Sequence, residues 1–240
     1  VEAGAAEIYP HLTLTGDPAS MIVSWAVLES SQPASSTPAK PTVTTSQVSW
    51  GLAPDKLVNV VTNATSSMTT LTEDMSTWSY CGTVTETRTL HRVRIAGLPL
   101  DTEIFYQAKV LPSSSSSSSE AAVILTAKGF FRTAPAVPSS SLRFLATADM
   151  GDPVSKYYTA IPQMNSQCAD GGNAAEKELP VGLGVMIGDI SYNLDVPPNG
   201  DNFMAGMSGM NVPWMYATGN HESDCNYTYQ NYLGRFAAQN

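Results

Sequence analysis

The hydrophobic pattern of this chain changes character near residue 135, and that change limits the folds open to it. Before it, short segments alternate apolar with polar residues: HLTLT (11–15), MIVSWAV (21–27), SQVSWG (46–51), KLVNVVT (56–62), LHRVRIAGL (90–98), EIFYQAKV (103–110) and VILTAKGFFRTA (123–134). Alternation with a period of two turns one face of a strand to a core and the other to solvent. Gly, Pro, Ser and Asp separate the segments, so about seven short strands joined by turns predict an all-β sandwich. The runs SSQPASSTPAKPTVTTS and PSSSSSSSE read as solvated loop insertions.

After the proline-bearing stretch TAPAVPSSS (133–141) the grammar differs. LRFLATAD (142–149), VGLGVMIGD (181–189) and VPWMYATGN (212–220) are near-continuous apolar strands. Between them, 154–169 reads as a helix broken or kinked at Pro162, and DNFMAGMSGM (201–210) as a short helix rich in Met. Strands of this kind alternating with helices predict a parallel or mixed sheet covered on both faces. The expected domains are therefore 1–135, an all-β sandwich, and 136–240, an α/β unit.

Bulk properties exclude some partners. The net charge is −9 with only 12 Lys and Arg, which argues against nucleic acid, whose phosphates need a basic patch. No apolar run approaches membrane-spanning length. The N-terminus shows no basic region followed by an apolar core, so a secreted protein would appear here in processed form. Low lysine, abundant Ser and Thr and the sequons at Asn63 and Asn226 point to a secreted, glycosylated protein. The three cysteines, Cys81, Cys168 and Cys225, leave one thiol over in such a compartment.

The chemistry gathers where the three apolar strands end: Asp149-Met150-Gly151-Asp152, Gly188-Asp189-Ile190-Ser191-Tyr192 and Gly219-Asn220-His221-Glu222. Taken singly, each has a plain reading. Asp149 and Asp189 are turn formers or helix caps as readily as ligands, Asp152 before Pro153 reads as a cap, and Tyr192 and His221 as surface or packing residues. Met204, Met207 and Met210 read as core filler. Together they differ, because ligands of open α/β sheets bind beyond the carboxyl ends of the strands. Carboxylate and amide oxygens suit hard cations, and a phenolate suits a trivalent one. A bridging carboxylate, for which Asp189 is placed, can hold two metals in a clamp for displacement at phosphorus.

The blocks ADMGD, GDISY and GNHE, in this order and spacing, resemble the first three signature blocks of the purple acid phosphatases, within the metallophosphoesterase superfamily. In that family they read Asp-x-Gly, Gly-Asp-x-x-Tyr and Gly-Asn-His-Glu/Asp, and the tyrosine separates it from other metallophosphoesterases. Residues 1–135 likewise resemble the fibronectin-III-like sandwich that precedes the catalytic domain in plant-type members. The resemblance implies that 136–240 is the N-terminal part of the catalytic α/β domain. It implies that Asp149 and Tyr192 bind Fe(III), that Asp189 bridges both metals, and that Asn220 binds a second divalent metal (Fe, Zn or Mn). His221 would contact the substrate phosphate or protonate the leaving group. Glu222, grouped with it as catalytic, would orient its neighbours. The implied reaction is hydrolysis of a phosphate monoester at acidic pH by a metal-activated hydroxide.

The chain departs from the pattern in two places. Ile104 stands where fibronectin-type domains usually place a corner tyrosine. Two further family blocks, Val-x-x-His and Gly-His-x-His, are missing, and His11 and His91 read as ordinary strand residues. The iron would therefore lack one ligand and the second metal two. The expected partner is a C-terminal remainder of the same fold, on a separate or continuing chain, with homo-oligomerisation left open. Cys168 and Cys225 pair with each other, or one cysteine bonds that remainder. The alternative function is a catalytically inactive, phosphatase-like structural or adhesive component of an extracellular assembly.

Overall fold

A computed structural model describes residues 8–33, 45–62, 66–74, 84–111, 125–136, 141–151, 160–169, 181–192, 194, 199–223 and 229–236. The N-terminal part is two four-stranded antiparallel sheets. One runs β1 (His11–Leu14), β2 (Ser20–Pro33), β6 (Val84–Ala96), β5 (Ser66–Asp74) in spatial order. The other runs β4 (Asn59–Thr62), β3 (Thr45–Gly51), β7 (Glu103–Leu111), β8 (Leu125–Arg132). Every strand expected from the alternation is present. The one not anticipated is β5, whose sequence SSMTTLTED offers only Met68 and Leu71 as apolar residues. Its threonines suit an edge strand, but they carry no hydrophobic period. β2 also runs into the Ser-rich stretch read as loop, as far as Pro33.

Trp25, Val23, Val93 and Ile95 of the first sheet and Val48, Trp50, Ile104, Tyr106 and Phe131 of the second share one core. Burying a side chain of this size contributes about 2 kcal/mol, so the alternating faces account for the stacking of the sheets. Ile104 is fully buried there. His91 crosses the core: its ring stacks on Trp25 with centroids 5.2 Å apart, and its Nδ1 lies 2.6 Å from Ser46 Oγ on the opposite sheet. Burial pushes its pKa down to about 4, so it is a neutral core residue.

The C-terminal part is a parallel sheet in the order β11 (Trp214–Ala217), β10 (Val181–Ile187), β9 (Arg143–Thr147). Helices α1 (Ala160–Ala169), α2 (Asn199–Met207) and α3 (Gln230–Arg235) accompany it. Pro162 does not kink α1. The helix runs on from it without interruption to Ala169. Met186 and Trp214 from the sheet pack with Phe203, Met204, Met207, Met210 and Phe236 in a second core, so the methionines are filler. Gly184 lets Trp214 lie flat against the sheet, since a Cβ there would sit 2.2 Å from the indole.

The sheet was expected to be covered on both faces, and among the described residues only one is. Phe144, Ile187 and Met215 on the other face are 54%, 62% and 45% exposed. Register sets Leu183 beside Phe144 and Val185 beside Met215, which makes the exposed band continuous across the strands.

The two parts meet through polar contacts on the outer face of the first sheet. Asp201 of α2 accepts from Arg88 of β6 at 3.0 Å and from Arg235 of α3 at 2.8 Å. Both arginine side chains are 3% exposed. Asp201 is held below its usual carboxylate range: burial opposes ionisation, and the two guanidiniums overcome it. Removing one partner from such a cluster leaves buried charge uncompensated. Asp201→Ala should therefore lower stability by about 3 kcal/mol, read as a shift in the urea midpoint at unchanged slope.

Candidate functional site

The residues singled out in the sequence lie at the carboxyl ends of β9, β10 and β11, on adjacent strands of the parallel sheet. The backbone bends sharply at each of the first two ends. Asp149 and Asp189 have φ of 54° and 49°, and Gly151 and Gly188 have φ of 73° and 75°. Left-handed backbone is natural for glycine and tolerable for aspartate, and non-glycine strain of this kind concentrates at functional sites. The two bends are stitched together by main-chain bonds. Asp149 N donates to Gly188 O at 3.2 Å, Met150 N to Asp189 O at 3.0 Å, and Tyr192 N to Gly151 O at 2.9 Å.

The third end is joined to the second by Glu222. Its carboxylate is fully buried and accepts from the backbone N–H of Asp189 at 3.0 Å, Ile190 at 2.6 Å and Gly219 at 2.5 Å. Burial raises its pKa above the ordinary carboxylate value; the three N–H donors oppose that rise, and the charge of Asp189 adds to it. A raised acid pKa means this carboxylate stabilises the fold best below 4.5, and that contribution fades as pH rises through the folded value. Gly219 is required at its position, because a Cβ would lie 2.0 Å from Asp189 Oδ1. That same oxygen accepts from His221 N at 3.2 Å.

The side chains converge above these loops. Tyr192 OH donates a short hydrogen bond to Asp149 Oδ1. The His221 ring lies face to face on Tyr192, centroids 3.7 Å apart and planes 15° from parallel. Asn220 is exposed at the tip of the third end, and its carbonyl accepts from Ser223 N and Oγ. The structure thus brings Asp149, Tyr192, Asp189 and His221 together, with Asn220 on the same rim and Glu222 beneath it.

Among the described residues, no three His, Cys, Asp or Glu side chains gather as a metal site on their own. The donor set is oxygen-rich instead. The hydrogen bond from Tyr192 to Asp149 gives phenol and carboxylate the juxtaposition that two ligands of one hard, highly charged ion need. Asn63, Asp152, Asn226, Cys81 and Cys225 lie outside the described residues, as does the side chain of Cys168. Sequence reasoning did not foresee Met150 as a packed part of this site. It is buried, and its sulfur accepts from Thr147 Oγ1.

The profile of the purple acid phosphatase N-terminal domain matches residues 9–124. The chain carries a purple acid phosphatase N-terminal domain. Purple acid phosphatase PPD1 from yellow lupin (Lupinus luteus) seeds superposes with a TM-score of 0.65 and 18% identity, over 98% of this chain and 41% of the lupin chain. At that identity the likeness is one of fold, and this chain spans about two fifths of the lupin purple acid phosphatase's length. Vertebrate astrotactin-2 aligns at a TM-score of 0.31 and 10% identity, over 71% of this chain and 26% of its own, too weak an overlap to carry an argument. No curated protein matches the sequence significantly.

The geometry makes Glu222 a mechanical link between strand ends. Glu222→Ala strands the buried N–H of Ile190, at a cost of about 1–3 kcal/mol, and leaves the part-buried N–H groups of Asp189 and Gly219 to water. Amide exchange at those three positions should quicken at least about tenfold, with no change in the strands of the sandwich, as read by hydrogen exchange with peptide resolution.

Proposed function

We propose that this chain is the metal-binding N-terminal portion of a phosphate monoesterase with a binuclear Fe(III)–M(II) centre, completed by ligands outside this chain. The observation that carries the reading is the convergence of Asp149, Asp189, Tyr192 and His221 at three adjacent strand ends. The fit of phenol to carboxylate supports iron, and the domain match and fold likeness support the family chemistry. On this reading residues 1–135 form a fibronectin-III-like domain, and 136–240 the first part of a metallophosphoesterase domain. Its remainder would pack on the open sheet face at Phe144, Ile187 and Met215.

Asp149 and Tyr192 would hold the ferric ion, Asp189 both metals, and Asn220 the divalent Fe, Zn or Mn. When bound, the metals supply Lewis-acid activation of the phosphate and a water nucleophile. The chain's own residues do the rest. Asp149 and Asp189 are pre-bent toward the site by their positive φ, so little ordering is left to binding. His221, held by stacking on Tyr192 and by its backbone bond to Asp189, would orient the phosphate or deliver a proton to the departing alcohol oxygen. Glu222, buried and fully engaged with main chain, would position rather than react.

The acidic balance of the chain and its sequons at Asn63 and Asn226 support a secreted glycoprotein. Among the described residues, no helix is long and apolar enough to cross a membrane.

Tyr192→Phe decides the iron assignment. The ring and its stack on His221 are kept and only the phenol oxygen is lost. The variant should fold, bind less iron and lose the visible tyrosinate absorption of the iron-bound protein. A folded variant whose colour is unchanged contradicts the assignment.

A further inference from the structure

The seam between the first sheet and the helices holds a second histidine that the proposed chemistry does not use. His11 of β1 is 7% exposed and faces away from the sandwich core. Its Nε2 donates to the backbone carbonyl of Arg235 at 2.8 Å, across the seam between β1 and α3. Nδ1 is then a bare acceptor, and it has no hydrogen-bond partner among the described residues. The ring borders a cavity of about 10 Å³ with Ser24, Met204, Gly234 and Arg235. That is room for one water, which would donate to Nδ1.

The surroundings are cationic. From β6, Arg88 bonds Asp201, and Arg92 donates to the carbonyls of Leu233 and Gly234 at 3.2 and 2.6 Å. From α3, Arg235 bonds Asp201 and Asn231. From α2 comes Asp201, which already serves two guanidiniums. Tyr216 of β11 meets the ring edge-on at 6.4 Å, and Phe236 lies at 5.7 Å; burial raises the Tyr216 pKa, so it stays neutral. A proton placed on Nδ1 would add a cation to this group.

We propose that the seam between the first sheet and the α2–α3 layer is an acid-released latch, with His11 as its titrating element. Closed, the latch needs neutral imidazole; open, the ring reaches water and accepts a second proton freely. Burial pushes the His11 pKa down to about 4; the bond to the Arg235 carbonyl opposes that, while the charges of Arg92 and Arg235 add to it. A histidine depressed in the folded state stabilises it above the ordinary value of 6.5, and that stabilisation drains away as pH falls toward 4. Asp201, itself held low by its arginines, protonates later and only reinforces the opening. His91 also charges in this window, but inside the sandwich core, so its effect falls on β3 and β6 rather than on the seam.

Peptide-resolved hydrogen exchange on the intact protein between pH 7 and 4, corrected for intrinsic rates, tests the latch. Protection in β1 and in 229–236 should fall more than about tenfold relative to β7. In His11→Gln, whose amide can donate to the same carbonyl but cannot charge, this pH dependence should vanish while that of His91→Gln stays as in the parent. Flat protection in the parent, or an undiminished fall in His11→Gln, overturns the proposal. If His11→Gln does not fold, the imidazole titration of the parent by NMR decides. Neutral His11 down to about pH 4 supports the latch, and a midpoint near 6.5 overturns it.

Discussion

The site depends on one buried carboxylate. Glu222 gathers N–H groups from Gly219, Asp189 and Ile190, so the ends of β11 and β10 move as a unit. Main-chain bonds from Asp149 and Met150 to the Gly188–Asp189 bend then carry that rigidity to β9. Three strand ends that would otherwise be separate loops become a single platform. Holding Asp149 and Asp189 at positive φ costs conformational energy. The Glu222 bonds and the main-chain stitching offset it, because releasing the bends would cost these N–H groups their acceptors, the buried one of Ile190 among them.

The platform is supported from below by apolar packing and from the side by the seam. Trp214, Met186 and Phe203 fix the sheet against its helices. Arg88, Asp201 and Arg235 fix those helices against the first sheet. Buried ion clusters add specificity of arrangement more dependably than stability, and here the arrangement is the angle between sandwich and parallel sheet. His11 joins the same seam by a neutral hydrogen bond, which places a titratable group where added positive charge is least welcome.

Much of this was legible in the sequence, and the gaps have physical causes. Alternation revealed β1, β2, β3, β4, β6, β7 and β8, because each turns one face to a shared core. β5 escaped because its Thr and Ser give no alternation, and α3 because six residues are too few to show a helical period. Pro162 looked like a break, yet α1 runs through it from Ala160 to Ala169. The strand-end blocks stood out because turn chemistry and polar side chains fall together within five residues or fewer of a strand. The resemblance implied that Glu222 orients its neighbours, but not that it grips the main-chain N–H groups of Asp189, Ile190 and Gly219. The seam was invisible for another reason: His11 and Arg235 are 224 residues apart, and no local pattern ties one to the other.

The most direct measurement of the central claim is elemental analysis of the native protein, prepared without chelators and expressed as metal per chain. The account predicts about one iron with one further Fe, Zn or Mn, bound with the segment that supplies the missing histidines. Native protein free of metal, with Asp149, Asp189, Tyr192 and Asn220 intact, would contradict it and leave a phosphatase-like scaffold in its place.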